Sequence, residues 1–163
     1  MGTTMEKLTH ALDKALSVFL MALMSLMVLT VTWQVVSRFI LKAPSSYTEE
    51  LARFLLIWIG LLGASYALRT KAHLGIDILP KYLSGSKQKL LLGFIYLLVM
   101  AFAFFVMVVG GFRLVDLTFT LDQTSAAMGI RMGYVYLVLP VSGVIMMFYS
   151  LVALLEIRKT GAV

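Results

Sequence analysis

The sequence holds no cysteine, two histidines and three prolines, and only 13% of its 163 residues are Asp, Glu, Lys or Arg. Without cysteine there is no disulfide framework, no thiolate nucleophile and no thiolate metal site. Average soluble domains carry about 25% charge. The low figure here, beside 61% hydrophobic residues and a mean hydropathy of +0.96, excludes an ordinary globular, disordered or collagen-like chain. His10 and His73 sit in no H-x-x-x-H or H-E-x-x-H pattern, so neither a metal site nor a cofactor is expected. Ser17, Ser25, Ser65, Ser142 and Ser150 lack a paired base, and no Gly-rich phosphate loop of the G-x-x-x-x-G-K type is present, so catalysis is not expected. The net charge of +6 is scattered between apolar runs, with no basic helix or Gly-aromatic RNA motif, and nucleic acid is not an expected partner.

What the chain does have is long uncharged runs. Ala15 to Ser37 and Leu90 to Phe112 hold 23 residues each, and Met132 to Leu155 holds 24. At about 1.5 Å per residue each reaches roughly 34–36 Å as a helix, enough for a hydrocarbon core of about 30 Å. A shorter run, Phe54 to Leu68, is preceded by Ser46-Tyr47-Thr48-Glu49, an S-x-x-E pattern that predicts a capping box and a helix over about 47–68. Lipid leaves no partner for free backbone groups, so these segments are expected to be helices. The predicted fold class is an all-α integral membrane protein, one domain over 1–163, with four transmembrane helices at about 15–37, 47–68, 90–112 and 132–155. The first run is too long for the apolar region of a signal peptide and lacks an A-x-A-like cleavage site, so it is expected to be retained. Pro140 is expected to kink the fourth helix. Met5 to Lys14 and Asp77 to Lys89 fit interfacial helical segments.

Orientation follows from the cations. Lys7, Lys14, Arg69, Lys71, Lys81, Lys87, Lys89, Arg158 and Lys159 fall on one side of the membrane, and Arg38, Lys42, Arg53, Arg113 and Arg131 on the other. The positive-inside rule then puts both termini in the cytoplasm. Secondary transporters usually carry ionisable residues at depth, and the four runs have none. Small four-helix exporters place a glutamate midway along the first helix, where Ala15 to Ser37 has no carboxylate. The remaining charges gather at helix ends. Glu49, Glu50 and Arg53 fit either a self-neutralising helix start or a docking surface for another membrane subunit or lipid headgroups. Arg113, Asp116, Asp122 and Arg131 are either solvated loop charges or a recognition site. Gly60 with Ala64, and Gly129 with Gly133, have a spacing that permits close helix approach. Trp58 lies deep enough to pack inside the bundle.

Arg38-Phe39-Ile40-Leu41, Tyr47-Thr48-Glu49-Glu50-Leu51-Ala52-Arg53, Trp58, Gly63-Ala64 and Ala72-His73-Leu74-Gly75-Ile76-Asp77, in that order, resemble the small, Q-type membrane subunit of TRAP (tripartite ATP-independent periplasmic) transporters. Gln123-Thr124-Ser125-Ala126-Ala127-Met128-Gly129-Ile130 and Tyr134 to Pro140 extend the resemblance over about Lys14 to Leu155. Two positions depart from the pattern: Tyr47, where tryptophan is common, and Arg131, where proline is frequent. The resemblance implies a subunit of the bacterial inner membrane in a sodium-coupled importer of organic acids, of the C4-dicarboxylate or sialic acid class. Its implied partners are a large (M-type) membrane subunit, a periplasmic substrate-binding protein and membrane lipids, with sodium bound by the large subunit rather than by this chain. The chain itself would brace the large subunit and widen the periplasmic dock, with Glu49, Glu50 and Arg53 towards the large subunit or lipid, and Arg113, Asp116, Asp122 and Arg131 near the dock. The alternative is a stand-alone four-helix channel or small-molecule exporter.

Overall fold

The computed structural model describes residues 2–70 and 86–160. Helix α1 runs over Gly2–Phe39 without interruption, because neither proline nor a second glycine occurs before Pro44. Its hydroxyls turn back on the helix: Thr9, Ser25 and Thr30 donate to carbonyls four residues earlier at 2.8–2.9 Å, which removes the cost of a polar group in lipid. The segment expected as a separate interfacial helix, Met5 to Lys14, is therefore the opening of α1 itself. Lys42, in the left-handed region at φ 52, turns the chain out of α1.

Helix α2 covers Ser46–Arg69 and buries Ala52, Leu55, Leu62, Ser65 and Leu68, a three- and four-residue spacing that forms one face. The third span begins with α3 (Ser86–Phe102), widens into a π-helical segment (Ala103–Gly110) and continues as α4 (Gly111–Thr120). It thus runs eight residues beyond the expected end at 112. The reason lies in α4, where Gly111, Val115 and Thr118 are buried on one face while Arg113 and Asp116 are exposed on the other. Charge ends the uncharged run there without ending the helix. The fourth span is broken as Pro140 predicts: α5 (Met132–Tyr136) gives way at Leu137 to α6 (Val138–Thr160). Pro140 has no N–H for the Tyr136 carbonyl, and the neighbouring Val135 carbonyl accepts a hydrogen bond from Trp58 Nε1 at 3.1 Å instead. Trp58 is half-buried, with Phe19 of α1 edge-on at 6.3 Å.

Four helical stretches are long and apolar enough to cross a membrane: Met5–Phe39, Ser46–Arg69, Lys87–Thr120 and Met132–Arg158. α1 packs on α2, α2 on α6, and α6 on α3 and the π segment. The central helix is α6. In its most apolar stretch 39% of residues are buried, against 11% in that of α1, so α1 is the span most open to its surroundings. A core of Leu16, Leu62, Leu92, Tyr96, Val138 and Tyr149 joins all four spans.

Close approach follows the small-residue spacing at Gly133 alone. Gly60 has no atom of another element within 4 Å of where a Cβ would sit, and Gly129 lies in a turn at φ 66. The tight contacts are at Gly143 against Met107 and Ala103, at Gly111 against Pro140, and at Gly133 against the Phe119 ring. Ser65, fully buried, donates to Leu61 and approaches the Ser142 carbonyl at 3.3 Å, fastening α2 to α6. Of the second expected interfacial segment, Asp77 to Lys89, residues 77–85 lie outside the described residues, as does His73.

Candidate functional site

The polar groups of the bundle gather at its two ends. At one end, the start of α2 meets residues 121–131. Here Ser45 is the N-cap, in extended conformation, with no side-chain cap bond. The capping box expected from Ser46 and Glu49 does not form, because Ser46 is already the first helical residue. Thr48 donates to the Ser45 carbonyl at 3.0 Å, and Glu49 pairs with the Arg53 guanidinium one turn on. Both members of that pair are at least half exposed, so it adds little stability.

Glu50 has a different fate. Its Oε2 accepts the Met128 N–H at 2.9 Å, and the Ala126 and Ala127 N–H groups and the Ser125 hydroxyl also face the carboxylate. The loop is shaped to offer them. Asp122 and Gly129 take positive φ, at 46 and 66. Thr124 and Arg131 form an antiparallel bridge, Ser125 N–H donates to Ile130 at 2.8 Å, and Met132 N–H donates to Gln123 at 2.8 Å. Consecutive amide groups turned towards one carboxylate make an anion-binding concavity that this chain fills with its own glutamate. Glu50→Ala is expected to leave these amide groups without their carboxylate acceptor and to expose the loop. Faster proteolysis within residues 123–130 checks this, with Glu50→Gln intermediate because its amide oxygen still accepts one N–H. Cleavage at the parent rate in both variants would refute the staple.

The structure brings together only some of the sequence-predicted residues. Glu50 and Arg53 line a groove of about 520 Å³ together with Gln123, Thr124, Ser125 and Tyr136. Asp122 pairs with Arg131 across the base of the loop at 3.2 Å. Arg113 and Asp116 stand on the exposed face of α4, outside this groove, and make no ion pair among the described residues.

The second polar site escaped sequence reasoning. At the opposite end, the Tyr149 hydroxyl of α6 donates to Asp13 Oδ1 of α1 at 2.7 Å. Arg69, the last residue of α2, places Nε 3.5 Å from Asp13 Oδ2 and Nη1 3.5 Å from Glu156 Oε1 of α6. Three helices are pinned by one guanidinium. The available signal was that Arg69 and Glu156 each abut an uncharged run and Asp13 lies one residue from one, but partners 56 and 87 positions apart share no local spacing. Among the described residues no cluster of three His, Asp or Glu could hold a metal ion.

Four apolar helices with their ionisable groups held at the two ends define a polytopic helical membrane protein. Residues 27–160 match the family described as tripartite ATP-independent periplasmic transporters, DctQ component, and the chain belongs to that family. It is 33% identical over 128 residues to the sialic acid TRAP transporter permease protein SiaT of Haemophilus influenzae (strain 86-028NP), covering 78% of this chain and 20% of SiaT. It is 28% identical over 160 residues to the sialic acid TRAP transporter small permease protein SiaQ of Vibrio cholerae, covering 95% of this chain and 86% of SiaQ. With the C4-dicarboxylate TRAP transporter small permease protein DctQ of Rhodobacter capsulatus it shares 31% over 117 residues, covering 71% of this chain and 50% of that protein. The chain is thus a small membrane component of TRAP type, multi-pass in the bacterial inner membrane.

Proposed function

We propose that this chain is the fixed scaffold of a sodium-coupled importer of organic acids, in the class of C4-dicarboxylates or sialic acids. It would hold a large M-type membrane subunit and contribute to docking a periplasmic binding protein. The observation that carries the reading is where the polar side chains go: Glu50, Asp13, Arg69 and Glu156 are engaged in fastening the chain's own elements. The uncharged runs offer no ionisable path for a solute. A rigid frame with wide apolar flanks suits a partner that moves. In this reading sodium and substrate bind the large subunit, and no cofactor is held here. The end with Lys14, Arg69, Lys87, Lys89 and Arg158 faces the cytoplasm, following the positive-inside rule.

Copurification with a much larger membrane protein, and sodium-driven uptake that requires both it and a binding protein, are the expected results. Solute flux through liposomes holding this chain alone would overturn the reading in favour of a stand-alone channel or exporter. Within it, Arg53 meets the large subunit or bound lipid, and Arg113, Asp116, Asp122 and Arg131 lie near the binding-protein dock. Arg53→Glu is expected to lower the yield of the complex and uptake by several-fold, and unchanged values for both would remove that role. Neutralising the four loop and α4 charges is expected to weaken binding-protein affinity, and an unchanged affinity would remove theirs.

A further inference from the structure

The third and fourth spans touch at one level and part at another. At Gly143 the α6 backbone lies so near the π segment that a methyl group would sit 3.1 Å from the Ala103 carbonyl oxygen. Towards the basic end the two helices open into a groove of about 900 Å³ between the start of α3 and the end of α6. Its inner walls are apolar: α3 contributes Phe94 and Leu97, α6 contributes Leu151 and Leu154, and Gly93 leaves the space in front of it unfilled. Its mouth is cationic, with Lys87 and Lys89 on one side and Arg158 on the other. No carboxylate lines it. The nearest one in sequence, Glu156, is turned to Arg69.

We propose that this groove holds one anionic phospholipid of the leaflet at the basic end, its phosphate between Lys87, Lys89 and Arg158 and one acyl chain along Gly93, Phe94 and Leu97. Depth separates a lipid from a partner helix. From Lys87 to Leu97 a helix rises about 15 Å, half of a hydrocarbon core of about 30 Å, so the groove spans one leaflet. A partner helix would need a furrow along the whole span, and the Gly143 contact closes this one. Charge separates an anionic lipid from a zwitterionic one. Three cations with no acidic group among the lining residues favour net negative headgroups, and basic pockets between helices at such a surface bind them.

Native mass spectrometry of the full chain, alone and with its membrane partner, tests this after exchange into equal amounts of phosphatidylglycerol and phosphatidylcholine. The expected result is one retained lipid per chain, with phosphatidylglycerol favoured about tenfold. Lys87→Ala, Lys89→Ala and Arg158→Ala combined should abolish the preference. Gly93→Leu keeps all three charges and fills the acyl slot, so it should lower retention of either lipid several-fold. It also serves if the triple variant fails to fold. Equal retention of the two lipids, a preference that survives the triple variant, or retention unaffected by Gly93→Leu would each overturn the proposal. So would a disulfide between Phe94→Cys and a helix of the partner subunit, which would give the groove to protein, and displacement of the lipid by inorganic phosphate, which would give the mouth to a free anion.

Discussion

Gly143→Leu is expected to leave little folded protein, and Gly143→Ala to cost about 1–3 kcal/mol. In lipid, helices gain little from hiding apolar surface from one another, and association rests on close packing and interhelical hydrogen bonds. Among the described glycines, only Gly133, against the Phe119 ring, would bring an added Cβ nearer to a neighbour than Gly143 does. A methyl at Gly143 would lie 2.8 Å from Met107 Cβ and 2.9 Å from Val108 Cγ2. Neither atom belongs to the far end of a flexible side chain, and Ala103 is fully buried, so relief requires moving a helix. Gly60→Ala and Gly63→Ala provide the contrast, because no atom lies within 4 Å of either added Cβ. There the expected change is between none and a gain of about 1 kcal/mol from helix propensity. Thermal melts in detergent followed by size-exclusion chromatography separate these outcomes. A Gly143→Leu protein that melted with the parent would mean that α6 does not press on the π segment.

The contrast also shows what the sequence can and cannot encode locally. The four spans were legible because each lacks charge, a property of the residues themselves. Pro140 was legible for the same kind of reason, since a missing N–H breaks a helix wherever it stands. The helix of the third span outruns its uncharged run because absence of charge reports contact with lipid, whereas α4 continues by burying Val115 and Thr118 against α5. The S-x-x-E pattern from Ser46 to Glu49 put the α2 cap one residue late, because the extended backbone at Ser45, which no local pattern fixes, makes Ser45 the N-cap. Gly60 and Ala64 had the spacing of a packing motif, yet the glycines that matter here are those whose partners lie on other spans, as Gly143 meets Ala103. The site divides in the same way. Glu50 was visible as a second carboxylate at a helix start, but its use depends on the fold bringing the Met128 amide to it from 78 positions away.

Both polar sites join different elements, and this bears most on α1. That helix is the least buried of the four spans. Arg69 and the Tyr149 hydroxyl tie it at the basic end through Asp13. Arg69→Ala is expected to destabilise the chain by about 1–3 kcal/mol, less than the 3–5 kcal/mol of a fully buried pair because Arg69 is 27% and Glu156 44% exposed. The loss comes mainly from taking the cation away from Asp13, so Asp13→Asn in the same chain should restore part of it while keeping an oxygen to accept the Tyr149 hydroxyl. Arg69→Lys should recover about half, since one ammonium cannot reproduce the fork that reaches two carboxylates. A double-mutant cycle of Arg69→Ala with Asp13→Asn, read by thermal melts at low and high salt, measures the coupling. It should shrink as salt screens the exposed part. A cysteine pair placed across the facing surfaces of α1 and α2 near Asp13 should then cross-link more slowly in Arg69→Ala than in the parent. Equal stability and equal cross-linking would mean that α1 is held by its apolar face alone, and that the guanidinium is a bystander.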